Sequence, residues 1–118
     1  MGSPFCFVTD PPSELRPFYE ARHESDRNQA KAFELLAGGV RIGTGAQHEH
    51  RYDRLLAQAG AKGVAVGDIA DYLEAFRYGC PPHGGFRIGL ARLLMSLLRL
   101  PTAKEATMFF RGPNRLRP

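Results

Sequence analysis

The sequence is poor in the features that mark several classes of protein. It has no tryptophan and two cysteines, Cys6 and Cys80, whose separation does not match the spacing of a metal site. Free thiols in a reducing compartment are the expected reading. No apolar run approaches the length that crosses a bilayer, and no basic-then-apolar start indicates secretion. We therefore expect a cytoplasmic protein with no membrane segment.

The remaining composition is that of one ordinary globular domain. The 118 residues are 43% hydrophobic and 24% charged, which is enough to build one core, so we expect a single domain over residues 1–118. The net charge of +4 permits contact with phosphates without requiring it. The most basic local segment is the C-terminal tail, which contains Arg111, Arg115 and Arg117.

Strand signals dominate the first half of the chain. Phe5 to Val8 is a run of β-forming residues that predicts a buried strand. Residues 23–31 are polar and predict a surface loop. Ala32 to Leu36 and Val40 to Thr44 flank Gly38-Gly39, a strong signal for a β-hairpin.

Helical patterns follow the hairpin. Residues 50–61 form an amphipathic stripe and predict a first helix. A second helix is predicted to begin with Asp68 as its N-cap, and a closing strand is predicted over Ala106 to Phe110. The second helix should bury one face, made of Ile69, Tyr72, Leu73 and Phe76. Because the strands are not separated by regular crossover helices, we expect an α+β fold with an antiparallel sheet flanked by helices.

The stretch from Gly84 to Leu98 is the most informative. Gly84 and Gly85 allow a ligand or another backbone to come close. The leucines that follow fall on one wide helical face, and they are Leu90, Leu93, Leu94, Leu97 and Leu98. Arg92 lies in the first turn, where a cation beside a glycine-floored strand end can grip phosphate or a flat base. The alternative is a buried strand–helix corner with Arg92 in an ion pair.

Three histidines raise a metal hypothesis. His48 and His50 are two residues apart, and His83 is distant in sequence. Zinc sites use three or four ligands at recognisable spacings, which this set lacks. Solvated histidines at a strand end or a helix start are favoured, and no metal is expected.

Many ordered segments resemble one enzyme family. The chain is similar to the C-terminal part of the catalytic domain of class II aspartyl- and asparaginyl-tRNA synthetases of archaeal type, and the stretch from Gly84 to Leu94 resembles motif 3 of that class. The segments that carry this resemblance are Phe7-Val-Thr-Asp10, Leu15-Arg-Pro-Phe-Tyr19, Thr44-Gly-Ala-Gln47, His50-Arg-Tyr-Asp53, Tyr72-Leu-Glu-Ala-Phe-Arg-Tyr-Gly79, Pro81-Pro-His-Gly-Gly85, Ile88-Gly-Leu90 and Pro113-Asn-Arg-Leu116.

The resemblance implies a large antiparallel sheet that binds ATP and an amino acid, forms the aminoacyl-adenylate and passes the acyl group to tRNA. The motif 3 arginine, here Arg92, would grip ATP. The other nucleotide-binding positions implied are Gly84, Gly85 and Gly89. The amino-acid pocket implied by the resemblance is formed by Gln47, Gly45 and His48.

Four single positions depart from the family pattern, and so does the segment Phe109-Phe-Arg-Gly112, which stands where the family has a Phe-Pro-Arg-Asp ending. Arg41 stands where the family has an acid that helps to hold the magnesium of ATP, so ATP could bind but magnesium is not expected. His48 replaces the arginine that binds the substrate carboxylate, and an imidazole does not supply a bidentate fork. Arg87 replaces a glycine on the nucleotide floor, and Ala91 replaces a glutamate. The anticodon-binding domain, motif 1 and motif 2 would lie before Met1.

These departures set the expected functions. The leading hypothesis is a truncated paralogue, inactive in aminoacylation alone, that serves as a binding or regulatory module. The alternatives are a split adenylate-forming ligase completed by a partner or an oligomer, and an RNA-binding module. We also expect a homo-oligomer, such as a dimer, that covers exposed sheet surface, and tRNA or a synthetase chain as a further partner.

Overall fold

A computed structural model describes residues 4–115 and 117, so Leu116 of the resemblance lies outside the described residues. A four-stranded antiparallel sheet has the order β1-β2-β3-β4 and is accompanied by three α-helices. The predicted α+β class is confirmed. No helix in these two ranges is both long and apolar enough to cross a bilayer. The elements are β1 (Phe5–Thr9), β2 (Ala32–Ala37), β3 (Val40–His48), α1 (Tyr52–Ala61), α2 (Ala70–Arg77), β4 (His83–Ile88) and α3 (Leu90–Leu97), with 3-10 turns at Ser13–Leu15 and Val66–Ile69.

The predicted hairpin forms the centre of the sheet. Gly38 and Gly39 both have positive φ, at 55° and 82°, which is the backbone of the tight turn that matches strand twist. The turn fixes the register of β2 against β3. Strand β3 continues past the predicted Thr44 as far as His48, so Gln47 and His48 lie on a strand rather than in a loop.

The chain divides into two compact units. The larger, called unit 2 here, contains residues 9–33 and 45–86. Its core includes Leu55 and Ala59 of α1 and Leu73 of α2, all at most 2% exposed. A second buried group is formed by small side chains of the sheet and the preceding loop, Ala30, Ala32 and Ala46.

Unit 1 contains residues 34–44 and the described residues up to Val8 and from Arg87 onward. Its buried apolar residues, within the described ranges, are Ala37 and Ile42. Helix α3 meets the hairpin through polar groups. The Ser96 hydroxyl donates to the Ala37 carbonyl at 3.4 Å, and an Arg92 guanidinium nitrogen donates to the Arg41 carbonyl at 3.3 Å.

Three sequence predictions were wrong in their details. The predicted closing strand at Ala106 to Phe110 is a series of turns, because its backbone bonds are local, as in Ala106 N–H to the Ala103 carbonyl at 3.2 Å. Asp68 is not an N-cap. It lies inside the 3-10 turn, and α2 begins after Ile69 without a side-chain cap. Strand β1 forms as predicted, but all of its residues are exposed because it is an edge strand.

The predicted apolar faces are also less buried than their periodicity indicates. Of the predicted α2 face, Leu73 is fully buried whereas Tyr72 is 41% exposed. On α3 the helix is confirmed, yet none of its residues is buried. Leu90 and Leu97 are 67% and 58% exposed. The stretch is therefore not the buried strand–helix corner that the sequence offered as an alternative.

Candidate functional site

An open cleft of about 560 Å³ lies over the sheet within unit 2. Its floor includes the backbone of β3 and β4, where Gly84 lies against Ala46 and Gln47. A cation, Lys31, and an amide, Gln47, supply polar groups at one side. The lining residues are Lys31, Phe33, Ala46, Gln47, Pro82, His83, Gly84, Gly85 and Phe86. A cation, an amide and two phenyl rings over a glycine floor suit a flat or anionic small molecule.

Two glycines allow the strands of unit 2 to approach closely. A Cβ on Gly84 would lie 2.7 Å from the Ala46 carbonyl oxygen and 3.1 Å from the Gln47 Cα. A Cβ on Gly45 would lie 2.6 Å from the ring of Phe33. Gly85 differs, because its Cβ would meet nothing within 4 Å. Glycine is therefore needed at position 84 because two strands pack closely there. Of Gly84 and Gly85, only Gly85 has open space beside its Cα for a ligand.

A closed circuit of six rings stands beside the cleft. Successive ring centroids in this aromatic circuit are 5.0 to 6.3 Å apart, and most pairs meet edge to face. In order around the circuit, the rings are Phe18, Tyr19, His48, His83, Phe76 and Tyr72. Burial raises the pKa of the Tyr72 hydroxyl. The His48 ring therefore packs against other rings of the circuit, those of Tyr19 and His83.

One imidazole of the circuit, that of His83, also has polar neighbours. His83 Nδ1 lies 3.1 Å from the Pro81 carbonyl oxygen. The Cys80 thiol lies 3.5 Å from the same nitrogen. No group of three His, Cys, Asp or Glu side chains suited to a metal ion occurs among residues 4–115 and 117.

An ion-pair network lies at the end of β3. Glu49 is 1% exposed and receives a bidentate bond from Arg51, with nitrogen–oxygen distances of 2.7 and 2.9 Å. Burial raises the pKa of Glu49, but the bonds from Arg51 outweigh it, and the pKa lies below the ordinary value. Arg54 and Arg51 both bond Glu24 and lower its pKa to about 2. The network links Glu24 to Arg54 of α1 and to Arg51, which binds Glu49 directly after β3.

Unit 1 contains the other predicted positions. The Arg41 guanidinium bonds the Glu34 carboxylate at 2.6 Å, and Arg92 donates to the Arg41 carbonyl. Gly89 lies beside Arg92, since its Cβ would be 3.9 Å from Arg92 Cβ. A cation already pairs with the carboxylate of Glu34, so the residues here do not fit a bound magnesium ion.

The structure therefore groups the predicted residues unevenly. In unit 2 it brings Gln47, Gly84 and Gly85 together in one cleft, with Gly45 beneath Phe33. His48 belongs to the aromatic circuit. In unit 1, Arg41, Arg92 and Gly89 form a second group. Arg87, the residue before the last of β4, is exposed, and Ala91 is half-buried in α3.

Sequence reasoning missed Lys31, Phe33 and Phe86 in the cleft. The signal for Lys31 was available, since it is one of three lysines and directly precedes β2. Phe33 and Phe86 looked like ordinary strand residues, and only their positions beside Gly45 distinguish them.

Comparison with known proteins fits this geometry. A family model described as "tRNA synthetases class II (D, K and N)" matches residues 2–112. The chain belongs to the class II tRNA synthetase family. The match covers both units and includes the cleft residues.

Individual synthetases give the same result. The Aspartate--tRNA(Asp/Asn) ligase of Archaeoglobus fulgidus is 44% identical over 112 residues, which are 95% of this chain and 26% of that protein. The aspartyl-tRNA synthetase structure from Entamoeba histolytica is 36% identical with a TM-score of 0.94, covering 98% of this chain and 24% of that one.

An asparaginyl-tRNA synthetase is similar as well. The structure of the Pyrococcus horikoshii enzyme complexed with asparaginyl-adenylate is 35% identical with a TM-score of 0.91, covering 97% of this chain and 27% of that one. The chain thus spans about a quarter of the length of the synthetases it matches.

Proposed function

We propose that this chain is a synthetase-like binding module that does not by itself activate aspartate or asparagine. The cleft of unit 2 would take a small ligand, and the adenylation chemistry would be lost. The support comes from two positions at which the family chemistry needs a specific charge. Arg41 offers a cation where the resemblance implies an acid, and His48 offers an imidazole where it implies a guanidinium.

One observation carries this proposal, namely that both replacements are built into local contacts. Arg41 bonds Glu34 at 2.6 Å, so the cation that replaces the implied acid is itself held by a carboxylate. The His48 ring lies 5.3 Å from that of Tyr19 and 5.1 Å from that of His83. Losing a charged donor at a site built for a carboxylate costs orders of magnitude in rate.

The test is ATP–pyrophosphate exchange by the purified chain with aspartate or asparagine. We expect no exchange above background. Clear exchange with either amino acid would overturn the proposal.

A calorimetric titration with ATP, with and without magnesium, tests the role of Arg41 separately. Any ATP binding by the parent chain should not depend on magnesium. Arg41→Glu would place two carboxylates together, and ATP binding by that variant should strengthen with magnesium. Arg27→Glu, an exposed charge reversal in unit 2, is the matched control and should behave as the parent.

A second candidate is a ligase completed by another chain. The combination of Lys31, Gln47 and a glycine floor in the cleft favours it. The chain would be mixed with the N-terminal three quarters of the Archaeoglobus fulgidus ligase. Exchange by the mixture, with none by either component, supports this candidate. No exchange by a stable complex of the two supports the first.

A further inference from the structure

The loop between α2 and β4 brings a thiol and an imidazole together. Its sequence is Cys80-Pro-Pro-His83, so the two side chains are three residues apart. The Cys80 Sγ lies 3.5 Å from the His83 Nδ1, which is within hydrogen-bond distance for sulfur. Because each proline ring fixes its own φ at about −65°, the residues between the pair restrict the loop to few conformations. The backbone therefore keeps the thiol and the imidazole close to each other.

The imidazole of this pair is oriented by its other neighbours. The His83 ring centroid is 5.1 Å from that of His48 and 6.2 Å from that of Phe76. With the ring proton on Nε2, the His83 Nδ1 accepts the proton of the Cys80 thiol. The N–H formed in this way can donate to the thiolate and to the Pro81 carbonyl oxygen, 3.1 Å away. A nucleophile within reach of a base that its surroundings orient is the arrangement that activates a cysteine.

The second cysteine of the chain provides an internal comparison. Cys6 is exposed, whereas Cys80 is half-buried. Among residues 4–115 and 117, the hydrogen-bond partner of the Cys6 thiol is the Phe7 carbonyl, at 3.6 Å, and not an imidazole. Since the thiolate is the reactive form of cysteine, a neighbouring base favours reaction at Cys80. Exposure alone favours reaction at Cys6, so the two explanations predict opposite orders of reactivity.

The cleft of unit 2 indicates the size of the reaction partner. His83 is both the partner of Cys80 and a lining residue of this open cleft of about 560 Å³. A cavity of this volume accommodates a small molecule. Because Cys80 is half-buried, a small reagent reaches its sulfur more readily than the thiol of a folded protein does. The pair is thus suited to a low-molecular-weight reagent.

We propose that Cys80, activated by His83, is a site of thiol–disulfide exchange with low-molecular-weight disulfides. The thiol proton passes to the His83 Nδ1, and the Cys80 Sγ attacks one sulfur of the disulfide. A new S–S bond to Cys80 forms as the S–S bond of the small molecule breaks, and the leaving thiolate takes the proton from the imidazolium. Cys80 is oxidised to a mixed disulfide, and the other half of the small disulfide is reduced to a thiol. The exchange is independent of whether the cleft binds a further ligand.

Reaction of the purified chain with oxidised glutathione tests this proposal. Proteolysis followed by mass spectrometry measures the mixed disulfide at each cysteine over time. Near neutral pH, Cys80 should react at least about tenfold faster than Cys6, the lower part of the range that a positioned base contributes. The ratio of the two rates should fall toward one in alkaline solution, because both thiols then ionise without a base. A difference due to access alone would not change with pH.

Two substitutions locate the base. His83→Gln keeps a polar side chain without a basic nitrogen, and it should slow the reaction of Cys80 by about tenfold or more. The rate at Cys6 in the same molecule should not change. His50→Gln is the matched control, since His50 is a half-buried histidine of unit 2 outside the aromatic circuit, and it should alter neither rate. If His83→Gln does not fold, the pH dependence of the rate ratio in the parent chain decides.

Three results would overturn the proposal. They are a reaction at Cys80 no faster than at Cys6 near neutral pH, a rate ratio that is the same in neutral and alkaline solution, and an equal rate at Cys80 in the parent chain and in folded His83→Gln.

Discussion

At the scale of single residues, the fold depends on a few buried polar side chains with exact partners. Gln58 is 3% exposed, and its Nε2 donates to the carbonyls of Phe18 at 2.5 Å and Glu20 at 3.1 Å. This one amide therefore links α1 to the segment that contains Phe18 and Glu20. Its Oε1 is buried and has no partner among the described residues.

Gln58→Leu should lower the free energy of unfolding by about 1–3 kcal/mol, because two carbonyls lose their donor while side-chain volume is kept. Urea unfolding measures the change. Gln29→Leu, at an exposed position, is the control and should shift stability by less than about 0.5 kcal/mol. Equal effects of the two would contradict the role given to Gln58.

Glu24 gives a prediction about pH. Its pKa is lowered to about 2 from an ordinary 4.5 by bonds from Arg54 and Arg51. The folded state therefore binds this proton less readily than the unfolded state, so the stabilisation is present above about pH 4.5 and is lost as pH falls toward 2. Carbon-13 NMR titration should place the Glu24 carboxyl near 2. A midpoint near 4.5 would show that the ion pairs do not form in solution.

At the scale of elements, backbone approach between strands decides which glycines are essential. Gly84→Ala should destabilise the protein by about 1–3 kcal/mol, because its Cβ would press on the Ala46 carbonyl of β3. Gly85→Ala should change stability by less than about 0.5 kcal/mol, since its Cβ meets open space. Thermal unfolding of the two variants side by side checks this contrast, and its reversal would refute the packing argument.

The elements also show what sequence pattern can predict. The hairpin at Gly38-Gly39 and the first two helices were predictable because turn residues and helical periodicity act locally. The closing strand at Ala106 to Phe110 was not, since a strand exists only when another strand pairs with it. Periodicity likewise predicted α3 but not its orientation, because an apolar stripe indicates where a helix can pack rather than what covers it.

The residues of the candidate site also fall into those that the sequence could predict and those that it could not. Gln47, Gly84 and Gly85 were predictable through resemblance, which transfers positions between similar chains. Phe33 and Phe86 depend on which side chains the strand register of unit 2 brings over Gly45, and a single sequence does not record that. The aromatic circuit joins rings as far apart in sequence as Phe18 and His83, so the sequence alone could not predict that these rings form a closed circuit.

At the scale of the whole molecule, charge constrains self-association. The homodimer expected from the sequence stays a prediction, and the structure does not test it. From residue 87 onward the sequence has seven cations and one acid. If two copies meet through this part of the chain, these charges repel, and salt should strengthen the contact by screening that repulsion. Light scattering at low micromolar concentration should then show apparent mass rising with ionic strength. A mass that falls with salt would assign the contact to another surface.

The aromatic circuit also contains intrinsic spectroscopic probes, namely its tyrosines. The chain has no tryptophan, and all four of its tyrosines lie in unit 2, at positions 19, 52, 72 and 78. Tyrosine fluorescence and the long-wavelength near-ultraviolet circular dichroism of tyrosine therefore report on unit 2 alone, because unit 1 contains no tyrosine. Tyr19 and Tyr72 sit within the circuit, so a ligand that shifts His83 in the cleft changes this signal without any attached dye. Comparing the tyrosine signal with far-ultraviolet dichroism during unfolding separates the loss of unit 2 from the loss of the rest.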